Sequence, residues 1–264
     1  MQETVKQVKE QYKDSKNLDA RIGIHELYST NKQDWHKWLM EQYQLPENVA
    51  ILELGCGSGA FWVKNKQEIK ASWNITLSDF SEGMLENAKR NIGRHPTIQY
   101  KQINIMDIPF MENSFDVVIA NHMLYHVPDV QKALREVRRV LKPNGTFYTS
   151  TIGEKHMGEL NTLLTEFNPR YNFLSAYKHA THFGLENGKE QLTNFFQSVH
   201  VKDFEGGLEI TESEPLIQYI LSASKDYSLS EEDINSIATY FNTILIQQNG
   251  KLYITKATGL FVAK

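Results

Sequence analysis

The sequence predicts an α/β fold built on a parallel, doubly wound sheet with helices on both faces. Three observations predict it. Between residues 46 and 153, short apolar runs alternate with segments of helical period at the spacing of β–α units. The first of those runs ends in a glycine loop, Gly55-Cys56-Gly57-Ser58-Gly59. The second ends in Asp79, and Asp107 follows the third.

Taken in order, residues 1–45 are polar and helical, with Trp35, Trp38, Leu39 and Tyr43 spaced to form one apolar stripe. Leu45-Pro46 breaks that helix, because proline disfavours the α conformation in the residue before it. Val49 to Leu54 is a buried strand, and Gly59 to Lys70 is a helix. Trp73 to Ser78 is the second strand, followed by a helix capped by Ser81 and running through Arg90. Ile98 to Ile103 is the third strand and Phe115 to Ala120 the fourth. Asp129 caps a helix to Lys142, and Pro143-Asn144-Gly145 turns into a fifth strand over Thr146 to Thr151.

After Gly153 the rhythm changes. Residues 154–185 are rich in aromatics and histidine, and Tyr171, Phe173, Tyr177 and Phe183 are candidates to line a ligand pocket. Gly188 to Ser198 reads as a helix, His200 to Phe204 as a strand and Ser213 to Gln248 as helical, with a helix start at Ser230-Glu231-Glu232-Asp233. The stripes Leu216, Tyr219, Ile220 and Ile234, Ile237, Tyr240, Phe241 read as helix core. Leu260 to Val262 is the last strand. The expected division is a helical lid over 1–45, a cofactor-binding core over 46–153, and the remaining strands with cap insertions over 154–264.

Composition narrows the function. A net charge of −4 offers no general basic field for nucleic acid or anionic lipid. No run approaches the roughly 18 apolar residues that span a bilayer, and the first residues lack an apolar signal core. The single cysteine, Cys56, excludes an internal disulfide and fits a reducing compartment, so a cytoplasmic protein is expected. The run Arg135, Arg138, Arg139, Lys142 reads as a solvated helix face.

The glycine loop follows a strand and opens a helix, which is the context of a nucleoside-cofactor site. The glycines alone leave the cofactor open between a dinucleotide and another adenosine compound. Glu53 argues against a pyrophosphate, since a carboxylate there repels phosphate and attracts an ammonium or sulfonium. Asp79 is placed to accept from ribose hydroxyls, and Asp107 from an adenine amino group, with Phe80 and Ile108 as flat apolar walls.

Four blocks in register then carry a resemblance: Ile51 to Gly59, Leu77 to Leu85, Asn113 to Val118 and Leu141 to Gly145. Together they resemble the class I S-adenosylmethionine-dependent methyltransferases, and within them the ubiquinone/menaquinone-biosynthesis-like, small-molecule branch. The resemblance implies a Rossmann-like sheet of seven strands with the last antiparallel, helical cap insertions, and S-adenosyl-L-methionine as cofactor. It implies that Gly55, Cys56, Gly57 and Gly59 cradle the methionine part and that Glu53 positions the loop. It places Asp79, Phe80, Met84, Asp107 and Ile108 at the nucleoside, and the main chain of Asn121 near the methionine ammonium. In similar enzymes N-terminal helices close over the cofactor, which makes Arg21 or Tyr28 a partner for the methionine carboxylate and lets His25 face the acceptor.

The expected activity is transfer of a methyl group to a small-molecule acceptor by in-line displacement. The competing readings are a cofactor-binding protein without transferase activity, an RNA or protein methyltransferase, and an NAD-type dehydrogenase. A general base, where one is used, is sought just past the fourth strand, with His122 and then His126 as catalytic candidates. His25, His122 and Tyr125 are the acceptor-facing candidates. Cys56 lacks an implied partner base, and the His122/His126 spacing lacks the glutamate of a zinc helix because Met123 stands there, so no metal is expected.

Overall fold

The computed structural model describes residues 16–171, 176–223 and 229–264. Phe173 and the side chain of Tyr177 lie outside the described residues, as does the start of the N-terminal segment.

The core sheet is built from β1 (Ala50–Leu54), β2 (Asn74–Asp79), β3 (Ile98–Gln102), β4 (Phe115–Asn121), β5 (Leu141–Ile152), β6 (Val199–Asp203) and β9 (Thr258–Ala263), in the order β3-β2-β1-β4-β5-β9-β6. The pairs among β1 to β5 are parallel, and β9 runs antiparallel to both β5 and β6. The expected seven-stranded sheet with an antiparallel last strand is present. Strand order reverses between β1 and β4, and in an open sheet that crevice at the carboxyl ends is where ligands bind.

Helices α1 (Lys16–Tyr28) and α2 (Trp35–Gln42) precede the sheet. Within it follow α3 (Ala60–Lys64), α4 (Glu82–Ile92) and α5 (Val130–Val140). Ser81 caps α4 and Asp129 caps α5 through their side chains, as their positions in the sequence predict. Helix α3 is shorter than expected. Buried Asn65 follows it and donates from Nδ2 to the carbonyls of Phe61 (2.9 Å) and His36 (3.0 Å), so the chain leaves the helix and continues as a 3₁₀ turn at Lys66–Glu68. Strand β5 begins earlier than expected, at Leu141. Pro143-Asn144-Gly145 forms a bulge, across which the pairing with β4 jumps from Phe115↔Leu141 to Val117↔Thr146.

The second half adds α6 (Gly158–Phe167), α7 (Ala176–Phe183), α8 (Gly188–Thr193), α9 (Ser213–Ala223) and α10 (Glu231–Gln247). The helical stretch expected from Ser213 to Gln248 is two helices, the second opened by a Ser230/Asp233 capping box. Two short strands escape the sequence reading, β7 (Gly207–Ile210) and β8 (Leu252–Thr255), which pair antiparallel. Since β6 leads into β7 and β8 into β9, the two ladders form one bent ribbon, interrupted at residues 204–206 and 256–257. The ribbon rises from the end of β9 that pairs with the carboxyl end of β5, Ile152↔Thr258.

That ribbon carries a second core. Leu208, Ile210, Leu252 and Ile254 pack with Ile24 of α1, Leu160 of α6, Leu216 and Ile220 of α9, and Phe241 of α10. A bridge between Ser29 and Leu208 ties α1 to β7. The helix stripes assigned to core in the sequence do lie there. Two of the aromatics assigned to an acceptor pocket are packed inside the two cores. Tyr171 is buried and donates to Asp233 Oδ1 at 2.7 Å inside the cap, and Phe183 packs on Phe261 in the main core. Among the described residues no helix is long and apolar enough to cross a membrane.

Candidate active site

The loop after β1 is built to let a ligand approach the backbone. Gly55, Gly57 and Gly59 all take positive φ (72°, 56° and 79°), which an L side chain rarely adopts. A Cβ on Gly55 would stand 3.0 Å from both Cβ and Cγ of Met123. Asp79 at the end of β2 fixes the loop, its Oδ2 accepting from Gly57 N at 2.9 Å and its Oδ1 from Ser81 N at 2.8 Å. Burial raises the pKa of Asp79, against the lowering effect of those bonds.

Glu53 is buried, and its Oε2 accepts from Trp62 Nε1 of α3 at 2.5 Å. Burial raises its carboxyl to about 7, Trp62 and Asn121 pull it down, and Asp79 pushes it up again. Repulsion of a pyrophosphate by Glu53 is therefore weaker than a permanently ionised carboxylate would supply, a correction to the sequence reading. A linked prediction follows. Because the folded pKa exceeds the ordinary 4.5, Glu53 contributes stability below about pH 4.5 and loses it as pH rises through about 7. Glu53→Gln is expected to flatten the fall in thermal midpoint across that window; an unchanged slope would place the titrating group elsewhere.

Asn121 ends β4. Its Oδ1 accepts from Tyr43 OH (2.9 Å) and Ser150 Oγ (3.1 Å), which sets the amide's orientation. Its buried Nδ2 meets no partner in good hydrogen-bond geometry. Tyr43, read from the sequence only as part of an apolar stripe, is thus a positioning residue. His122 follows with a left-handed backbone (φ 49°), its N–H donating to Ser150 O at 3.0 Å and to Ser150 Oγ at 3.2 Å. Such strain at a non-glycine residue costs about 1–3 kcal/mol and clusters at functional positions.

Burial pushes His122 down to about 3, with His156, His36 and Lys256 adding to the effect. A group this hard to protonate is a poor base at neutral pH, so the surroundings oppose the catalytic role expected of it. Burial also holds His126 well below the ordinary range, and His179 and Arg21 lower it further. It sits in a 3₁₀ turn, Leu124–His126, with its ring 4.6 Å from Tyr125 and 4.8 Å from His179. Tyr125 packs in the same aromatic group, 4.9 Å from His179 and 6.4 Å from His122. The thiol of Cys56 is pushed well up by burial and then by Glu53 and Asp79, which leaves it unreactive.

Several assigned contacts fall elsewhere. Ile108 is buried in the core under α5, and its N–H donates to Glu136 Oε2 at 2.9 Å, so it presents no flat wall. Met84 is buried as well, on the inner face of α4. Asp107 is exposed in the segment after β3, and Phe80 is half-buried just past β2. Arg21 donates from Nη2 to Ser222 O (2.7 Å) and from Nε to Ser222 Oγ (3.2 Å), which docks α1 on α9. Tyr28 packs against the cap core. His25 stacks on His156 at 5.5 Å and feels the charge of His122.

Of the run expected to be a solvated face, Arg135 is exposed, whereas Arg139 and Lys142 act as clamps. Arg139 bonds Phe110 O (2.7 Å), Ile108 O (2.8 Å) and Glu136 Oε2 (2.7 Å), and Lys142 bonds Asp116 Oδ1 (2.7 Å). Arg139→Ala is expected to lower stability by about 1–3 kcal/mol in urea unfolding, with faster amide exchange at Ile108 and Phe110. Unchanged exchange there would remove the clamp.

This constellation matches known proteins. Residues 52–149 match the family of methyltransferase domains. Over 189 residues the chain is 28% identical to the demethylmenaquinone methyltransferase of Staphylococcus aureus, covering 66% of this chain and 78% of that one. Over these residues the chain is similar to S-adenosylmethionine-dependent methyltransferases of class I. Solved structures share the methyltransferase fold. The YcgJ protein of Bacillus subtilis superposes with TM-score 0.56 at 17% identity, over 86% of this chain and 96% of that one. Phosphoethanolamine N-methyltransferase 2 of Haemonchus contortus, in complex with S-adenosylhomocysteine, gives TM-score 0.55 at 14% identity over 93% and 57%.

The site fits the methyltransferase cofactor, S-adenosylmethionine. The glycine backbone is open, and buried Glu53 and half-buried Asp79 flank it, with Trp62 and Asn121 favouring the ionised form of Glu53.

Proposed function

We propose that this methyltransferase domain acts on a small-molecule acceptor enclosed beneath the cap, by in-line displacement. The carrying observation is the enclosure of His122, the first residue past β4. Trp35 of α2 lies 5.3 Å from its ring, and its electrostatic neighbours are His156, His36 and Lys256. Phe204 of the ribbon closes on Trp35 at 5.1 Å. A polymer chain would need that cap to open, whereas a small molecule would not. The Staphylococcus relative, by its name, acts on demethylmenaquinone, also a small molecule.

When bound, the cofactor supplies a methyl group already activated on a sulfonium. The chain's own work is then positioning and exclusion of water. In this reading Gly55 and Gly57 give backbone access, and Asp79 holds the ribose while keeping the loop in place. Glu53, near half-ionised at neutral pH and held by Trp62 and Asn121, orients the loop, and the main chain of Asn121 approaches the methionine ammonium. Asp107 remains the candidate for the adenine amino group.

The test is transfer of labelled methyl groups into separated cytosolic metabolites, total RNA and total protein. Label is expected in the metabolite fraction. Label confined to RNA or protein would overturn the reading.

A further inference from the structure

Lys256 lies in the break between β8 and β9 and is only 8% exposed. Its ammonium stands over the Phe204 ring at 4.6 Å. Among the described residues no carboxylate pairs with it. Asp34 steadies the charge from a distance, but its Oδ1 accepts from His36 N (2.9 Å) and Lys37 N (3.0 Å), and its Oδ2 pairs with Lys64 at 3.4 Å.

The loop that carries His156 lies against Lys256, since Gly153 N–H donates to Ala257 O (3.0 Å) and Met157 N–H to Thr255 O (2.9 Å), and His25, His122 and His156 all feel the Lys256 charge. They reach this point from α1, from the end of β4 and from the loop before α6. His25 and His156 stack, and the Nδ1 atoms of both are buried without a hydrogen-bond partner among the described residues.

A buried ammonium gathered with three imidazoles and no counter-ion destabilises the ligand-free protein. Burial holds Lys256 down to about 8, and it pushes His122 and His156 to about 3 and about 4. An anion placed among them reverses each of these effects: it pairs with the ammonium, and it makes donors of the orphaned ring nitrogens. No group of the described chain supplies that anion. The carboxylate of the cofactor is the competing anion, because His122, which feels Lys256, directly follows Asn121; the test below is therefore run with the cofactor site already filled.

We propose that Lys256, His25 and His156 bind a compact oxyanion carried by the methyl acceptor, a carboxylate or a phosphate, and thereby select negatively charged acceptors and orient them beside His122. This rests on the small-molecule reading above. The neutral imidazole of His122 then sits beside the acceptor as a wall and hydrogen-bonding group.

The test uses the full chain saturated with S-adenosylhomocysteine, with thermal unfolding followed in sodium benzoate, inorganic phosphate or neutral benzamide, and sodium chloride at matched ionic strength as reference. At about ten times its dissociation constant, a bound anion is expected to raise the midpoint by about 3 °C. Benzamide is expected to do nothing, and the stronger of benzoate and phosphate identifies the oxyanion. Lys256→Met is expected to raise the midpoint of the ligand-free protein, because it removes an uncompensated buried charge, and to abolish the anion shift. Should that variant fail to fold, the wild-type Cε1–H resonances of His25 and His156 provide the readout and must move with benzoate or phosphate but not with benzamide. The proposal is overturned if neither anion stabilises, if benzamide matches them, or if Lys256→Met keeps the shift. Stabilisation by S-adenosylhomocysteine in the same traces reports on the cofactor site, and the labelled-methyl experiment reports on the acceptor size, so this inference can fail while both of those stand.

Discussion

Replacing Asp79 with alanine is expected to weaken S-adenosylhomocysteine binding by roughly tenfold or more in isothermal titration calorimetry. The size of the effect comes from two losses at once. Asp79 holds the glycine loop through Gly57 N and the start of α4 through Ser81 N, so its removal leaves two backbone donors without their acceptors. In the proposed site it also accepts from the ribose, and hydrogen bonds to a charged group are worth about 1.5–3 kcal/mol each. Asp79→Asn separates the two losses. Its single carbonyl oxygen can serve only one of the backbone donors, so an intermediate affinity is expected. Full affinity in both variants would remove Asp79 from the site.

The cofactor half of the protein was legible because its information is local. A strand, a glycine loop and an acid at the next strand end lie within thirty or so residues, and each strand's carboxyl end faces the same crevice by the rule for open sheets. What such a pattern cannot say is which face a side chain takes. Asp107 and Ile108 are adjacent, yet Asp107 is exposed and Ile108 is in the core. The same blindness affected Arg139, whose partners Ile108 and Phe110 lie about one whole β–α unit upstream.

The cap side was hardly legible at all. Asn121 depends on Tyr43, and His25 depends on His156, pairs joined only by the closed fold. Lys256 stands between two short apolar runs with nothing in its neighbourhood to mark it. The ribbon that carries it was missed because β7 and β8 are four residues each and pair across two helices. His122 was found for its place after β4, but the burial that holds its pKa down, and the His156, His36 and Lys256 neighbours that add to it, come from elements distant in the chain.

Gly59→Val is expected to lower stability by about 3 kcal/mol or more, seen as a drop in thermal midpoint of about 6–12 °C. Gly59 holds φ at 79°, a conformation that a β-branched residue adopts only under strain. Its added Cβ would stand 2.8 Å from Ile92 Cδ1 and 3.2 Å from Ala88 Cβ, both in the fully packed inner face of α4. The loop's glycines therefore do different jobs. Gly59 makes room for a helix, whereas a Cβ on Gly55 would meet Met123 at the ligand-facing edge of β4. Gly55→Ala is accordingly expected to weaken S-adenosylhomocysteine binding more than it lowers the midpoint, and Gly59→Val to do the reverse. Gly23→Ala, in α1 with nothing within 4 Å of the new Cβ, is the control, expected to be neutral or stabilising. If Gly55→Ala and Gly59→Val lose stability and affinity in the same proportion, the loop acts as one packed unit and this division between them is wrong.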